Sequence, residues 1–325
     1  MEYLTRQHLG SQVISSARVV AIGEVLWDIF GNQFRLGGAP LNFAAHLSRL
    51  GHRATLVSAV GADKLGVDAK REISRLGLED SVLPTVAGFP TGTAAVDLSD
   101  SAQPHFTIHR PAAYDALELS DEQLQGLSAQ DPRWVYFGTL FSFVRSARST
   151  LERLLAALPS TRRFYDVNLR SGCYTAPLVA DLLAKAHAVK LNEQELETIG
   201  CLLDVPRDGM ESFCRAGSAR YGWEAVAVSL GARGCAIWVG GAYAEADGLP
   251  IQVSDTVGAG DAFSAAFLHG LILGWQAGTI AEFANRVGAI VASRPGAIPE
   301  WNLDEVLSTV SRPRSDRRRE TWSST

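Results

Sequence analysis

Lysine is scarce in this chain. Four lysines (Lys64, Lys70, Lys185 and Lys190) stand against 26 arginines in 325 residues, and none of the four follows a glycine. That excludes the GxxxxGK[ST] phosphate loop. Cysteine is equally sparse: Cys173, Cys201, Cys214 and Cys235 include no CxxC pair. Four such residues cannot make a disulfide framework for a chain of this length, so they are expected to be reduced thiols of a cytoplasmic protein. No run approaches the roughly 18 uninterrupted apolar residues of a membrane-spanning helix, and the first 18 residues have no apolar core behind a positive start, so no secretory signal is expected. Positive charge is not in excess either. With a net charge of -5, the whole surface does not attract nucleic acid. The seven histidines show no HExxH or similar ligand spacing, which argues against a structural zinc, and GxGxxG is missing after the first strand, which argues against a dinucleotide-dependent dehydrogenase.

What remains is an ordinary globular composition, 46% hydrophobic and 20% charged, on a chain long enough to bury roughly 75% of its unfolded surface. Val19–Ile22 is a short apolar run closed by Gly23, the pattern of a strand buried on both faces. Pro40 then opens a helix carrying Leu41, Ala44, Ala45, Leu47 and Leu50, which Gly51 stops. A strand over Ala54–Val60 leads to a helix around Val67–Leu76. Thr91–Ile108 breaks this rhythm, reading as two strands around a polar turn at Ser99–Pro104. Alternation resumes with strands at Trp134–Phe137, Arg163–Asp166 and Ala188–Leu191, separated by helices at Arg145–Leu158 and Ala176–Ala186. Strands at Glu224–Ser229 and Cys235–Val239 follow, then helices at Gly260–Leu273 and Thr279–Ser293. Strands separated by helices predict parallel βαβ units, with ligands at the C-terminal strand ends.

The densest chemistry lies in DTVGAGD, Asp255–Asp261, directly before an apolar helical run. Gly258, Ala259 and Gly260 put unencumbered N–H groups at a helix start, where the positive end of the helix favours an anion. Asp261, at that same start, is a carboxylate able to take a proton from an attacking hydroxyl. An aspartate merely capping a helix after a glycine turn has the same local pattern. A second segment, GGAPLNFAAHLSRLG, pairs Gly37 and Gly38, which permit close backbone approach, with Asn42, a donor and acceptor suited to a polyhydroxy ligand. A third, DVNLR, follows a strand and offers Arg170 for bidentate bonds to sugar oxygens or a carboxylate.

In their order and separation, the first two segments resemble the two signatures of the ribokinase family, the PfkB carbohydrate kinases, over about Val19–Ser311. The resemblance implies an α/β, ribokinase-like three-layer sandwich with a mainly parallel central sheet and a small β lid built from about 29–36 and 91–110. Residues 1–18 are then a mobile leader, 19–311 the kinase domain and 312–325 a polar tail. It implies Asp261 as catalytic base, the Gly258, Ala259 and Gly260 amides as an anion hole, and Asp28, Gly37, Gly38, Asn42 and Arg170 as sugar contacts. Asn192 and Glu195 of KLNEQE match the NxxE motif associated with phosphate and, indirectly, Mg2+. Ser229, Gly231 and Gly234 match the strand and turn that hold ATP, and Asn285 a position beside the adenine. Many relatives hold K+ on carbonyls near positions matching Asp255, Val257 and Gly296; here Glu300 stands where several carry Ser, which leaves potassium dependence open. A homodimer paired through the lids is expected, with ATP and a small sugar as ligands and no nucleic acid or membrane partner. Leu26 replaces a polar residue of the ribokinases themselves, which points away from ribose. DxNxR looks like the fructokinase and 2-keto-3-deoxygluconate kinase branch, and GGAPLN more like the fructokinases. D-Fructose is therefore the expected acceptor, with 2-keto-3-deoxygluconate or adenosine as alternatives within the family. A sugar-binding relative without catalysis would be expected to lose Asp261 or its glycines, and this chain keeps both.

Overall fold

The structure is a computed structural model describing residues 16–78, 81–97, 105–206 and 208–308. The leader through residue 15, the Ser99–Pro104 turn and the tail from 309 lie outside these residues. In chain order the strands are β1 (Arg18–Ile22), β2 (Leu26–Phe30), β3 (Gln33–Gly37), β4 (Arg53–Val57), β5 (Val60–Gly61), β6 (Thr85–Val86), β7 (Gly92–Asp97), β8 (His105–His109), β9 (Trp134–Gly138), β10 (Arg162–Asp166), β11 (Ala188–Asn192), β12 (Ala225–Ser229), β13 (Gly234–Val239) and β14 (Ala242–Asp247). Eight form one sheet in the order β14-β13-β12-β11-β10-β9-β1-β4. It is parallel from β12 to β4, while β13 and β14 close the other edge antiparallel.

Both faces of this sheet are covered. In β1, Val19 and Ala21 enter one apolar core together with helices α1 (Ala39–Arg49), α3 (Ala259–Ile272) and α4 (Ala277–Ala292). Val20 and Ile22 enter a second core that includes Leu151 and Leu154 of the helix Arg145–Ala157 and Leu196 of α2 (Glu193–Leu203). Burial on both sides explains why the central strands are continuous apolar runs instead of alternating ones. Helix α3 is buried around most of its circumference, from Ala262 to Gly270, because it lies between its neighbouring helices and the sheet. Among the described residues no helix is long and apolar enough to cross a membrane.

The strand expected over Ala54–Val60 stops at Val57. At that sheet edge the Ser58 N–H donates to the Val82 carbonyl at 3.1 Å and the Val60 N–H to the Pro84 carbonyl at 3.1 Å, so the chain leaves the sheet to pair β5 with β6.

A second sheet, β3-β2-β7-β8, contains the two segments read as lid strands, joined by parallel pairing of β2 with β7. It starts at Leu26, three residues before the expected excursion. Below it, Phe43 of α1 stacks on Tyr136 of β9 with centroids 3.9 Å apart, and Phe164 of β10 meets Phe43 at 5.9 Å and Phe267 of α3 at 5.6 Å. Offset and edge-on packing of this kind adds to area burial. It locks α1 to α3, the two helices that carry Asn42 and Asp261.

Candidate active site

A cavity of about 250 Å³ opens at the C-terminal ends of the parallel strands. Glu24 follows β1, Asn168 and Arg170 follow β10, Asn192 ends β11 and Ser229 ends β12, and all five line it. Asp28 and Ile108 descend from the second sheet. This is where an open α/β sheet leaves its strand ends free for a ligand.

The turn before α3 forms one wall. Gly258 is its N-cap at φ 80, a conformation that favours glycine, and a Cβ there would overlap the Ala297 carbonyl. No side chain caps the helix, so its first turn presents backbone N–H groups and the positive end of the dipole. Gly258, Gly260 and Asp261 line the cavity. Ala259 does not, and its N–H is directed to the Thr256 carbonyl at 3.3 Å. The Asn42 amide donates to Asp261 Oδ2 at 2.8 Å, holding one carboxylate oxygen. Asn42 Oδ1, buried and without a partner, is left as an acceptor beside it. Burial pushes the Asp261 carboxyl up to about 6, helped by the Asp166 charge and opposed by the Asn42 bond, Lys190 and Arg170. Near neutrality this group is poised to accept a proton.

The opposite wall is acidic. Asp28 is raised to about 7, chiefly by burial, with Arg170 pulling the other way. A Cβ on Gly37 would come within 2.7 Å of its Oδ2, so glycine there keeps the carboxyl in place. Gly38, at φ 116, brings its turn onto the Glu24 carbonyl. Glu24 was not singled out from sequence. It is 4% exposed, one of its carboxylate oxygens has no partner, and burial raises it to about 7. Its position directly after β1, at the ligand edge of the sheet, was the signal available in GEVLWD.

The sequence pattern puts Asp166 at the ligand edge as part of DxNxR but gives neither it nor Lys190 a role of its own. Asp166, the first residue of DxNxR, is fully buried and pairs with Lys190 at 3.2 Å. It also accepts bonds from the Tyr136 hydroxyl at 3.1 Å and Ser264 Oγ at 2.7 Å. Glu195 stands behind the cavity wall rather than on it. One oxygen accepts the Leu169 N–H and the other the Asn192 N–H, both at 2.8 Å, while Asn192 Oδ1 caps α2 by accepting the Glu195 N–H. The NxxE motif is thus a capping box that also clamps the loop holding Arg170.

Gly231, Gly234 and Asn285 lie off the cavity wall, and the Asn285 amide donates to the Asp247 carbonyl at 2.7 Å. Asp255, Val257 and Gly296 do come together: the Asp255 carboxylate accepts N–H bonds from Val257 at 3.0 Å and Gly296 at 3.1 Å. Arg35 of β3 also pairs with Asp255, at 2.9 Å, joining the second sheet to this turn. Among the described residues no three His, Cys, Asp or Glu side chains form a metal cage.

Comparison with known proteins gives the same direction. The pattern of the pfkB family carbohydrate kinases matches residues 12–303. The chain is 27% identical to a fructokinase of Escherichia coli over 302 residues, covering 87% of this chain and 95% of that one. In structure it superposes on a fructokinase with bound ATP from Xylella fastidiosa with TM-score 0.77 at 22% identity, covering 90% of this chain and 97% of the other. A 2-dehydro-3-deoxygluconokinase from Thermotoga maritima gives TM-score 0.77 at 20% identity, over 89% and 98%.

Proposed function

The chain belongs to the pfkB carbohydrate kinases, and from that premise we propose that it transfers the γ-phosphoryl group of ATP to a terminal hydroxyl of D-fructose, giving fructose 6-phosphate. The observation that carries the reading is Asp261, held by Asn42 at the open N-terminus of α3 inside a cleft with an acidic far wall. Asp28, Glu24 and Asn42 Oδ1 supply acceptors for sugar hydroxyls, and Arg170 supplies donors. Asp261 takes the proton of the attacking hydroxyl, while the first-turn amides receive charge on the transferring group. Mg2+, bound with the nucleotide, would neutralise phosphate charge. Asn192 and Ser229 stand where the phosphates would lie, and Gly231, Gly234 and Asn285 are assigned to the nucleoside end beyond the cavity. The second sheet serves as a lid, its Arg35 latching onto Asp255. Closure keeps water from competing as acceptor. A K+ ion on the Asp255, Val257 and Gly296 turn would stiffen that same latch point.

The lining favours a neutral polyol over the alternatives. Three carboxyl groups, Glu24, Asp28 and Asp261, already sit at raised pKa. A substrate carboxylate such as that of 2-keto-3-deoxygluconate would add another acidic group to a wall whose basic lining residues are Arg170 and Lys190. Among the described residues the cavity wall carries no aromatic ring on which a nucleobase could stack. Assaying the purified chain with MgATP against D-fructose, D-ribose, adenosine and 2-keto-3-deoxygluconate tests this. Fructose is expected to give the highest kcat/KM, and a higher value for any other acceptor refutes the assignment.

A further inference from the structure

Lys190 is one of only four lysines in the chain, and beyond its pull on the Asp261 carboxyl the proposed reaction gives it no contact with a reactant. It lies in β11, is 6% exposed and lines the cavity. Its Nζ is 3.4 Å from the point where a Cβ on Gly260 would stand, which packs the ammonium against the first turn of α3. One N–H goes to Asp166 Oδ1 at 3.2 Å. Among the described residues Asp166 is its one hydrogen-bond partner, so the ammonium of this cavity-lining residue keeps two further N–H groups for a ligand.

A purely structural role explains this arrangement poorly. Asp166 already has hydroxyl donors from Tyr136 and Ser264. Burying two ions costs several kcal/mol each before attraction returns any of it, and apolar replacements of such pairs are often as stable or more so. A buried cation beside an anion-receiving turn has a direct use in phosphoryl transfer, where catalysis is mostly positioning and charge stabilisation. Lysine also suits the place better than arginine, because a compact ammonium fits the short clearance to Gly260.

We propose that Lys190 is a catalytic residue of this kinase, its ammonium binding the γ-phosphoryl oxygens beside Gly260 while Asp166 holds it in position. The inference rests on the kinase reading above and adds a ligand for the transferring group. The bond from the γ-phosphorus to the bridging oxygen of ATP breaks, the bond to the acceptor oxygen forms, and the acceptor's proton passes to Asp261. ADP leaves, and Lys190 stays protonated throughout.

The test compares wild type, Lys190→Met and the double variant Lys190→Met with Asp166→Asn, which removes both members of the buried ion pair. Thermal melting reports folding, calorimetry reports binding of sugar, ADP and ATP, and steady-state kinetics reports turnover. In the double variant kcat is expected to fall by about 100- to 1000-fold, the usual cost of losing one preorganised donor at the reacting group. Sugar affinity stays within about threefold, and the preference for ATP over ADP shrinks. A double variant with kcat within about threefold of wild type overturns the proposal, because Lys190 then serves only to balance the buried carboxylates around it, Asp166 and Glu195 among them. Should Lys190→Met fail to fold, the double variant alone decides between these results. If wild type phosphorylates another acceptor of the panel but not fructose, the sugar assignment fails and the Lys190 comparison is made with that acceptor. Wild type inactive toward all of them overturns both readings.

Discussion

Replacing Glu24 with Gln removes a carboxyl that burial raises from 4.5 to about 7. Because the folded protein holds this proton more tightly than the unfolded chain, the wild type loses stability as pH rises from about 4.5 through 7. Each pKa unit is worth about 1.4 kcal/mol. The ionised carboxyl therefore costs the folded state about 3 kcal/mol at pH 8 and about 1 kcal/mol at pH 5. Glutamine keeps the shape and carries no charge, so Glu24→Gln is expected to exceed wild type in stability by a margin that grows from pH 5 to pH 8. The margin is read from urea unfolding of both proteins at the two pH values. The same substitution removes a free acceptor from the cavity wall, and KM for the sugar is expected to rise about tenfold with a smaller change in kcat. A stability difference that is equal at both pH values, or a variant less stable than wild type at pH 8, would show that Glu24 is not held desolvated.

Two other perturbations test the lid and the core. Arg35→Ala removes the bond from β3 to Asp255; the pair is part-exposed, so global stability should change by less than about 1 kcal/mol, while KM for sugar rises several-fold and added salt weakens wild type more than the variant. His52 and His269 share a buried ring-to-ring bond of 2.9 Å, and burial lowers them to about 4 and about 3. The unfolded chain binds these protons more readily, so their contribution is present above about 6.5 and lost as pH falls toward 4. His269→Phe, which can retain packing on Phe283 and Trp275, is expected to reduce that acid slope by about one proton. An unchanged slope would remove His269 from this account.

Much of this arrangement was legible in the sequence. The parallel strands and their helices follow from apolar runs between breakers, and the turn opening α3 follows from glycines before an apolar helix. The boundary at Val57 was missed because a strand leaving the sheet to pair elsewhere keeps the same apolar residues. Strand β14, AYAEAD, was missed because an edge strand partly exposed on its pattern carries little apolar signal. In the site, Asn42 and Asp261 belong to separate motifs, and only the packing of α1 on α3 brings them within 2.8 Å. Glu24 and Lys190 could not be singled out, and Asp166 stood out only as part of DxNxR, since a charged residue near a strand end is usually solvated and its burial depends on what the rest of the chain lays over it. Glu195 was expected beside a metal and is found bonded to two backbone amides, a role the spacing of N-x-x-E also permits.

The proton acceptor is tested most directly by Asp261→Asn, measured for kcat and kcat/KM from pH 5 to 9 with fructose affinity followed by calorimetry. Wild-type kcat/KM is expected to rise with pH through a limb near 6, where the buried carboxyl ionises. In the variant that limb disappears, kcat falls by about 100-fold or more, and fructose binds within about threefold of wild type. A variant that keeps a tenth of wild-type kcat, or retains the limb near 6, would contradict the assignment of Asp261 as the base.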